Sequence, residues 1–391
     1  MPHDNLPIDD APQAGTALAQ LETPALLLDE ARMQRNIERM RSRLQALGVA
    51  FRPHVKTNKS IDVTRRLLPG GTGPITVSTL LEADYFAGHG FTDILYAVCI
   101  APNKLAHVAA LQDRSVRLSL ILDSVETARL LADERQRSGR AFEVLIEIDS
   151  DGHRSGVKPD GPELLEIARF LEAAGIPVKG VMTHAGSSYD SPTVEAIRAM
   201  AEQERAATVL AAQRLRAAGS ACPVVSVGST PTALFAERLD GVTEVRAGVF
   251  VFFDLFMAGI DVCRVDDIAV SVLATVIGHR PDKGWTLVDA GWMAMSRDRG
   301  TAGQRVDQGY GVVCDLQCRP IEDLILVGAN QEHGIIGHRS GRPDNAPHLP
   351  VGTQVRILPN HACATAAAYR HYQVLGPDGA LLASWPRFSG W

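Results

Sequence analysis

At 391 residues, with 46% hydrophobic and 21% charged positions, the chain is too long for one ordinary domain and too apolar for disorder. A net charge of −6 with no basic run excludes nucleic acid as a partner class. No apolar stretch reaches membrane-spanning length, and residues 1–20, with Asp4, Asp9 and Asp10, carry no basic-then-apolar signal. A soluble cytoplasmic protein with a loose N-terminal arm, bound to no membrane, is the expectation. The six cysteines (Cys99, Cys222, Cys263, Cys314, Cys318 and Cys363) are scattered, which argues against a disulfide framework. Cys314 and Cys318 read as ordinary strand and turn residues.

In chain order, 25–29 is a short apolar strand, and 30–47 an amphipathic helix with Met33, Ile37, Met40 and Leu44 at helical spacing. A buried strand over 49–56 follows the stop signal Gly48 and ends on Lys56. Strands at 75–79, 93–98, 118–123, 143–149, 178–183, 224–227 and 244–252 then alternate with helices at 80–88, 104–111, 125–138, 162–175, 193–218 and 233–239. This rhythm means parallel pairing with right-handed crossovers. Eight or nine such units fit a closed (β/α)8 barrel of the TIM type better than an open doubly wound sheet, because the first turn lacks G-x-G-x-x-G. After about residue 260 helical periodicity fades. Strand-like runs at 268–277, 285–289, 324–327, 354–358 and 373–375 predict a mostly antiparallel β domain. The expected organisation is an arm over 1–22, a barrel over 23–258 and a β domain over 259–391.

Several strand ends carry chemistry. Lys56 lies at a strand's C-terminal end, the face on which such barrels build active sites. A lysine there can lose its proton in low-dielectric surroundings and attack a carbonyl. Taken alone, the stretch reads equally well as a solvated strand-end lysine. Ser226-Val227-Gly228-Ser229-Thr230-Pro231-Thr232 joins a strand to a helix, so Gly228, Ser229 and Thr230 can offer backbone N–H groups to a phosphate; a plain capping turn is the alternative. Gly248 and Phe250, after the next strand, can add one backbone donor. Asp151-Gly152-His153-Arg154-Ser155-Gly156 brings Arg154 to the barrel mouth. Thr183-His184-Ala185-Gly186 ends another strand, with His184 able to stack on a flat cofactor and Tyr189 to donate a hydrogen bond, although each taken singly reads better as a satisfied structural residue. In the β domain, His361 and Cys363 are spaced i, i+2 and point the same way from an extended segment. Both suit zinc, although H-x-C alone is a weak motif. His333, in Gln331-Glu332-His333-Gly334, can add a base.

Together these motifs, with Arg52-Pro53-His54-Val55-Lys56-Thr57 and Pro359-Asn360-His361-Ala362-Cys363, resemble the D-serine dehydratase and D-threonine aldolase family, pyridoxal phosphate enzymes of the alanine racemase fold. The resemblance runs from about residue 22 to 391. Within it, 289–301 and 328–334 look most like the branch that dehydrates D-threo-3-hydroxyaspartate. Cys363 also leans toward the dehydratases, whereas Phe250 departs from a frequent tyrosine. The resemblance implies that Lys56 holds pyridoxal 5'-phosphate as a Schiff base and that Arg154 faces its pyridine nitrogen. It further implies that Gly228, Ser229 and Thr230 cradle the phosphate, with Tyr189 on the ring side. His361 and Cys363 would hold Zn²⁺ or another divalent ion such as Mn²⁺ or Co²⁺. The implied reaction converts a β-hydroxy-D-amino acid to a 2-oxo acid and ammonia, 3-hydroxyaspartate to oxaloacetate or D-serine to pyruvate. Retro-aldol cleavage to glycine and an aldehyde is one alternative, and a non-catalytic cofactor carrier another. A homodimer is implied. A dicarboxylic substrate needs a cation, for which Arg297 and Arg299 are candidates.

Overall fold

The protein's structure, a computed structural model, describes residues 18–345 and 347–390, so most of the expected arm lies outside the described residues. The chain divides into two units: one takes the segment up to Asn36 with Val251–Gly259 and Cys263–Ser389, the other Ile37–Phe250 with Ile260–Val262. Strand β1 (Ala25–Asp29) belongs to the first unit. The second unit holds β2 (Ala50–Phe51), β3 (Ile75–Val77), β4 (Asp93–Cys99), β5 (Arg117–Leu122), β6 (Glu143–Glu147), β7 (Val178–Met182), β8 (Val224–Val227) and β9 (Glu244–Val245). The chain then returns to the first unit for β10 (Val270–Arg280), β11 (Trp285–Val288), β12 (Gly311–Cys314), β13 (Pro320–Ala329), β14 (Gly334–His338), β15 (Gln354–Pro359), β16 (His371–Leu375) and β17 (Leu381–Pro386).

In the second unit, strands β3 to β9 pair in parallel and in order, and β9 pairs with β2. His54, just past β2, bridges to Thr76 in β3, and the Val55 and Thr76 amides donate across that seam at 2.9 Å each. The eight strands therefore close into the expected barrel. Leu95, Ile121, Leu145 and Met182, one from each of four adjacent strands, form a buried cluster. Beside this apolar packing runs a polar chain. Asp93 and Glu244 both accept from Arg52, Glu244 accepts from the Ser226 hydroxyl, and Ser226 accepts from Arg246, whose guanidinium also donates to the Thr183 carbonyl. Such buried ions are tolerated because Arg52 is paired with two carboxylates and Arg246 is hydrogen-bonded to a hydroxyl and a carbonyl.

The first unit contains a second closed sheet. Strand β10 pairs with both β11 and β15, and β11–β14–β13–β12–β15 completes a ring of six antiparallel strands. Strands β1, β16 and β17 extend it from β10. Its core includes Leu21, Leu27, Leu273, Leu375 and Leu381.

Local departures have local causes. Strand β1, expected in the barrel, pairs instead with β10 and β16, since an apolar run does not name its partner. The helix expected over 233–239 is Thr230–Phe235: a Ser229–Thr232 capping box and Pro231 in the first turn start it early. The strand expected over 244–252 stops at Val245, and Val249–Val251 forms a 3-10 turn. None of the six cysteines is in a disulfide.

Candidate active site

In the second unit, Lys56 follows the His54 bridge in a turn, exposed at the C-terminal end of the β2 segment. The other five lysines of the sequence are engaged. Lys59 pairs with buried Glu82 at 3.0 Å, Lys158 with Asp149 at 2.5 Å, and Lys179 with Glu143. Lys104 donates to the Tyr96 hydroxyl at 2.6 Å, and Lys283 lies 4.5 Å over the Trp285 ring. Among the described residues, Lys56 is the one lysine whose amine has no such partner.

His184 follows β7 and is held by Nδ1 against the Gly228 carbonyl at 3.0 Å. A carbonyl only accepts, so Nδ1 carries the proton in the neutral ring. Burial, and then the charge of Lys56, pull this imidazole down to about 3. Arg246 and Arg154 push the same way. Burial and Lys56 likewise hold His54 well below the usual histidine range, and its Nδ1 is buried without a partner. His184 is therefore a neutral flat ring beside cations, with Tyr189 at 6.0 Å between ring centroids. An unfolded chain would protonate this histidine near pH 6.5 (about the reference value), whereas the folded one stays neutral to about 3. Its contribution to stability is full above the unfolded value and is lost as the pH falls toward the folded one. Urea midpoints are therefore expected to drop between about pH 7 and pH 4, with a shallower drop in His184→Asn. Parallel slopes in the two proteins would refute this role for His184.

The loop after β8 is tightly built. Gly228 has φ +134°, and a Cβ there would strike the Arg246 backbone. Its amide donates to Glu204 at 3.0 Å, and the Ser229 amide donates to Thr232. Ser229 also caps the helix and touches the Ser188 hydroxyl at 2.8 Å. The Gly228 and Ser229 amides thus serve the loop's own structure. Thr230 is different. Its hydroxyl oxygen accepts from the Phe250 amide at 3.2 Å, which leaves its own proton to donate. That contact also commits the Phe250 amide, expected to be free; the Phe250 ring is buried against Phe51, 5.6 Å between centroids. At Gly248 a Cβ would come within 2.8 Å of the His54 carbonyl.

Arg154 is largely exposed, its nearest carboxylate Glu147 at 3.9 Å, beyond hydrogen-bond range. Glu147 belongs to a group the sequence reading missed. Cys99, Asp123 and Glu147, at the ends of β4, β5 and β6, hold their ligand atoms within 4.8 Å of one another. Burial, and then the two carboxylates, push the Cys99 thiol up, so it keeps its proton and shares it with Glu147 at 3.3 Å. Glu204 was also missed. Buried on the helix Val194–Ala217, it accepts from the amides of Ala185 and Gly228 and so ties the loops after β7 and β8 together. A glutamate in register with Ile197, Ala201, Thr208 and Ala211 was the available signal.

In the first unit, His361 is not in an extended strand. It precedes the short helix Ala362–Ala366, and Cys363 lies within that helix. The two side chains still meet, because Cys363 hydrogen-bonds the imidazole. Asp298 accepts from His361 Nδ1 at 2.7 Å, and buried Asp254 accepts from the Ala362 amide at 2.9 Å. Burial would lower the His361 pKa, but the bonds to Asp298 and Cys363 outweigh it and raise the ring to about 11. Arg297 is exposed and lies 5.0 Å over the Trp292 ring; Arg299 pairs with Asp307 at 2.7 Å. His333 is exposed in the turn between β13 and β14.

The barrel and the antiparallel unit define an alanine racemase-type architecture. Residues 28–255 match the family described as alanine racemase, N-terminal domain, and 269–375 that described as putative serine dehydratase domain. The chain belongs to this alanine racemase family, in a form that carries a serine dehydratase domain. It is 58% identical to D-threo-3-hydroxyaspartate dehydratase of Delftia sp. (strain HT23), over 96% of this chain and 99% of that one. Identity to D-serine dehydratase of Dictyostelium discoideum is 30%, over 95% and 98% of the two chains. A solved cysteine-to-alanine mutant of D-threo-3-hydroxyaspartate dehydratase in the metal-free form is 57% identical, with TM-score 0.94 over 96% of this chain and all of the other.

Proposed function

We propose that this protein is a lyase, dependent on pyridoxal phosphate and a divalent metal, that dehydrates a β-hydroxy-D-amino acid. Its substrate is D-threo-3-hydroxyaspartate, converted to oxaloacetate and ammonia, with D-serine, giving pyruvate, as a second substrate. The observation that carries this reading is the 58% identity to a D-threo-3-hydroxyaspartate dehydratase along nearly the whole of both chains.

The residues of the second unit fit pyridoxal phosphate by their chemistry. An uncommitted primary amine at Lys56, a neutral ring at His184 and a largely exposed guanidinium at Arg154, only loosely paired with Glu147 at 3.9 Å, suit an anionic, flat aldehyde. Lys56 would hold it, Arg154 would face the pyridine nitrogen and keep it unprotonated, and Thr230 would donate to the phosphate from the loop built by Gly228 and Ser229. Phe250 holds that loop through its amide, Gly248 lets the chain pass close to His54, and Tyr189 would border the cofactor ring. When bound, the cofactor supplies an electron sink for the α-carbon. Released when the substrate amine takes its place, Lys56 Nζ would accept the α-proton.

His361 and Cys363 fit a divalent ion as a borderline and a soft donor already in contact. Two protein ligands leave positions for water and substrate. A metal bound there, Zn²⁺, Mn²⁺ or Co²⁺, supplies Lewis acidity toward the β-hydroxyl. Cytoplasmic location and a homodimer belong to the same proposal. Among the described residues no helix is long and apolar enough to cross a membrane.

Incubation with D-threo-3-hydroxyaspartate, D-serine and D-threonine, assaying ammonia, oxo acid and glycine together, tests the reading. Ammonia with oxaloacetate is expected; glycine as the main product would make the protein an aldolase, and no product at all a carrier. For the second carboxylate of the substrate, Arg297 is the better candidate, since Arg299 is committed to Asp307. Arg297→Ala is expected to lower kcat/KM for 3-hydroxyaspartate tenfold or more relative to D-serine, about 1.5–3 kcal/mol for a lost charge-assisted pair. Equal losses on both substrates would refute this assignment.

A further inference from the structure

We propose that Asp298 is a positioning residue for the metal centre: its carboxylate holds His361 by Nδ1 and so presents Nε2 as the nitrogen that binds the ion. This rests on the reading of His361 and Cys363 as metal ligands. The contact is short, 2.7 Å from His361 Nδ1 to Asp298 Oδ2. A carboxylate at Nδ1 fixes both the tautomer and the ring plane of a ligating histidine.

Asp298 is held through both its carboxylate and its backbone. Asp298 Oδ1 accepts from the Gly300 amide at 2.8 Å, and the Asp298 amide donates to the Ser296 hydroxyl at 3.2 Å. The Asp298 carbonyl accepts from the side chain of Asn360, the residue before His361, at 3.1 Å. Asn360 is buried; it also donates to the Gly309 carbonyl at 2.7 Å and accepts from the Thr301 hydroxyl at 3.2 Å. Two segments far apart in sequence are thereby locked together through both backbone and side chain. Ser296, at the entry to the loop, holds a left-handed φ of 74°, a strain that a loosely attached loop would relax.

The neighbouring charges are arranged to leave Asp298 to the histidine. Arg299 is turned to Asp307, and Arg297 lies over Trp292. From the other side, buried Asp254 fixes the backbone rather than the ring, accepting from the amides of Ala362 and Met257. One aspartate thus places the helix that carries Cys363, and the other orients the imidazole.

The test uses the cofactor-loaded protein and reads metal affinity, not turnover. Zn²⁺ is titrated against a competing chelator, and Co²⁺ absorption reports the ligand geometry. Removing such a partner of a ligating histidine typically costs 10- to 100-fold in metal affinity, and Asp298→Ala is expected to lose about that much. Asp298→Asn, which can still accept from Nδ1–H without the charge, is expected to recover part of that loss and to restore the Co²⁺ spectrum. If the alanine variant does not fold, the asparagine variant must still bind Zn²⁺ more weakly than the parent. Melting temperature and cofactor absorbance are followed throughout. His361→Ala is the control: if it keeps its metal, the ligand reading falls and this proposal with it. If His361→Ala loses metal while either Asp298 variant binds Zn²⁺ with unchanged affinity, the positioning role alone is overturned.

Discussion

Lys56→Ala is expected to abolish both turnover and the visible absorbance of lysine-linked pyridoxal phosphate. The expectation is strong because the chain has no substitute for Lys56. Lys59, the neighbour most able to replace it, is tied at 3.0 Å to Glu82, whose second oxygen accepts from the Ser78 amide at 2.7 Å. Freeing Lys59 would leave the Glu82 charge buried and unpaired, a cost of about 3–5 kcal/mol. Lys104 is committed to Tyr96, and Lys158 to Asp149. Loss of a positioned acid–base group alone lowers rate by about 10²–10⁴-fold, and Lys56 is asked in addition to hold the cofactor. Turnover should fall below detection, while the barrel, which does not use the Lys56 side chain, should melt normally. The measurement is a spectrum of the purified variant with added cofactor, beside an oxo acid assay. A persisting absorbance band would move the assignment to another amine.

How much of this was legible in the sequence differs between the two units. The barrel was readable because strands covered on both faces appear as short apolar runs, and each is separated from the next by one amphipathic helix. The helix Val125–Ser138 and the strand Val224–Val227 fall where the pattern places them. In the antiparallel unit the strands Gly311–Cys314, Gly334–His338 and Leu381–Pro386 were missed. Each is short and interrupted by glycine, proline or polar residues, so neither period stands out over its length. Strand β1 looked like its neighbours in sequence, yet its partners lie more than 200 residues away, in β10, and further still in β16.

The site shows the same division. Lys56, His184, Arg154, His361 and Cys363 stand out in the sequence by residue type and position. What supports them was not found, because it is made by long-range pairs. His361 meets Asp298 across 63 positions, and Cys99 meets Glu147 across 48. The Gly228–Thr230 loop stands out in the sequence, but its internal hydrogen bonds do not. Sequence shows which amides small residues expose, but not that Glu204 and Thr232 have already taken two of them.

Removal of the metal is expected to stop turnover and leave the cofactor in place. In the proposed reaction the ion's task is confined to the β-hydroxyl, a poor leaving group without a Lewis acid, and such assistance is worth several kcal/mol. Chelation, or His361→Ala, should therefore lower kcat by about 10²-fold or more. The residues assigned to pyridoxal phosphate, from Lys56 to Phe250, belong to the second unit, and those assigned to the metal, Asp298, His361 and Cys363, to the first. No residue is shared between the two sets, so the absorbance of the bound cofactor should survive chelation unchanged. Re-addition of Zn²⁺, Mn²⁺ or Co²⁺ should restore the parent enzyme but not His361→Ala. A ligating imidazole must give up its proton at the nitrogen that binds the ion, so metal loading should weaken as the pH is lowered. Full turnover at a verified metal content near zero would remove the metal from the reaction. The leaving hydroxyl would then need an acid from the chain itself, and His361, braced at Nδ1 by Asp298, is the residue to test for that role.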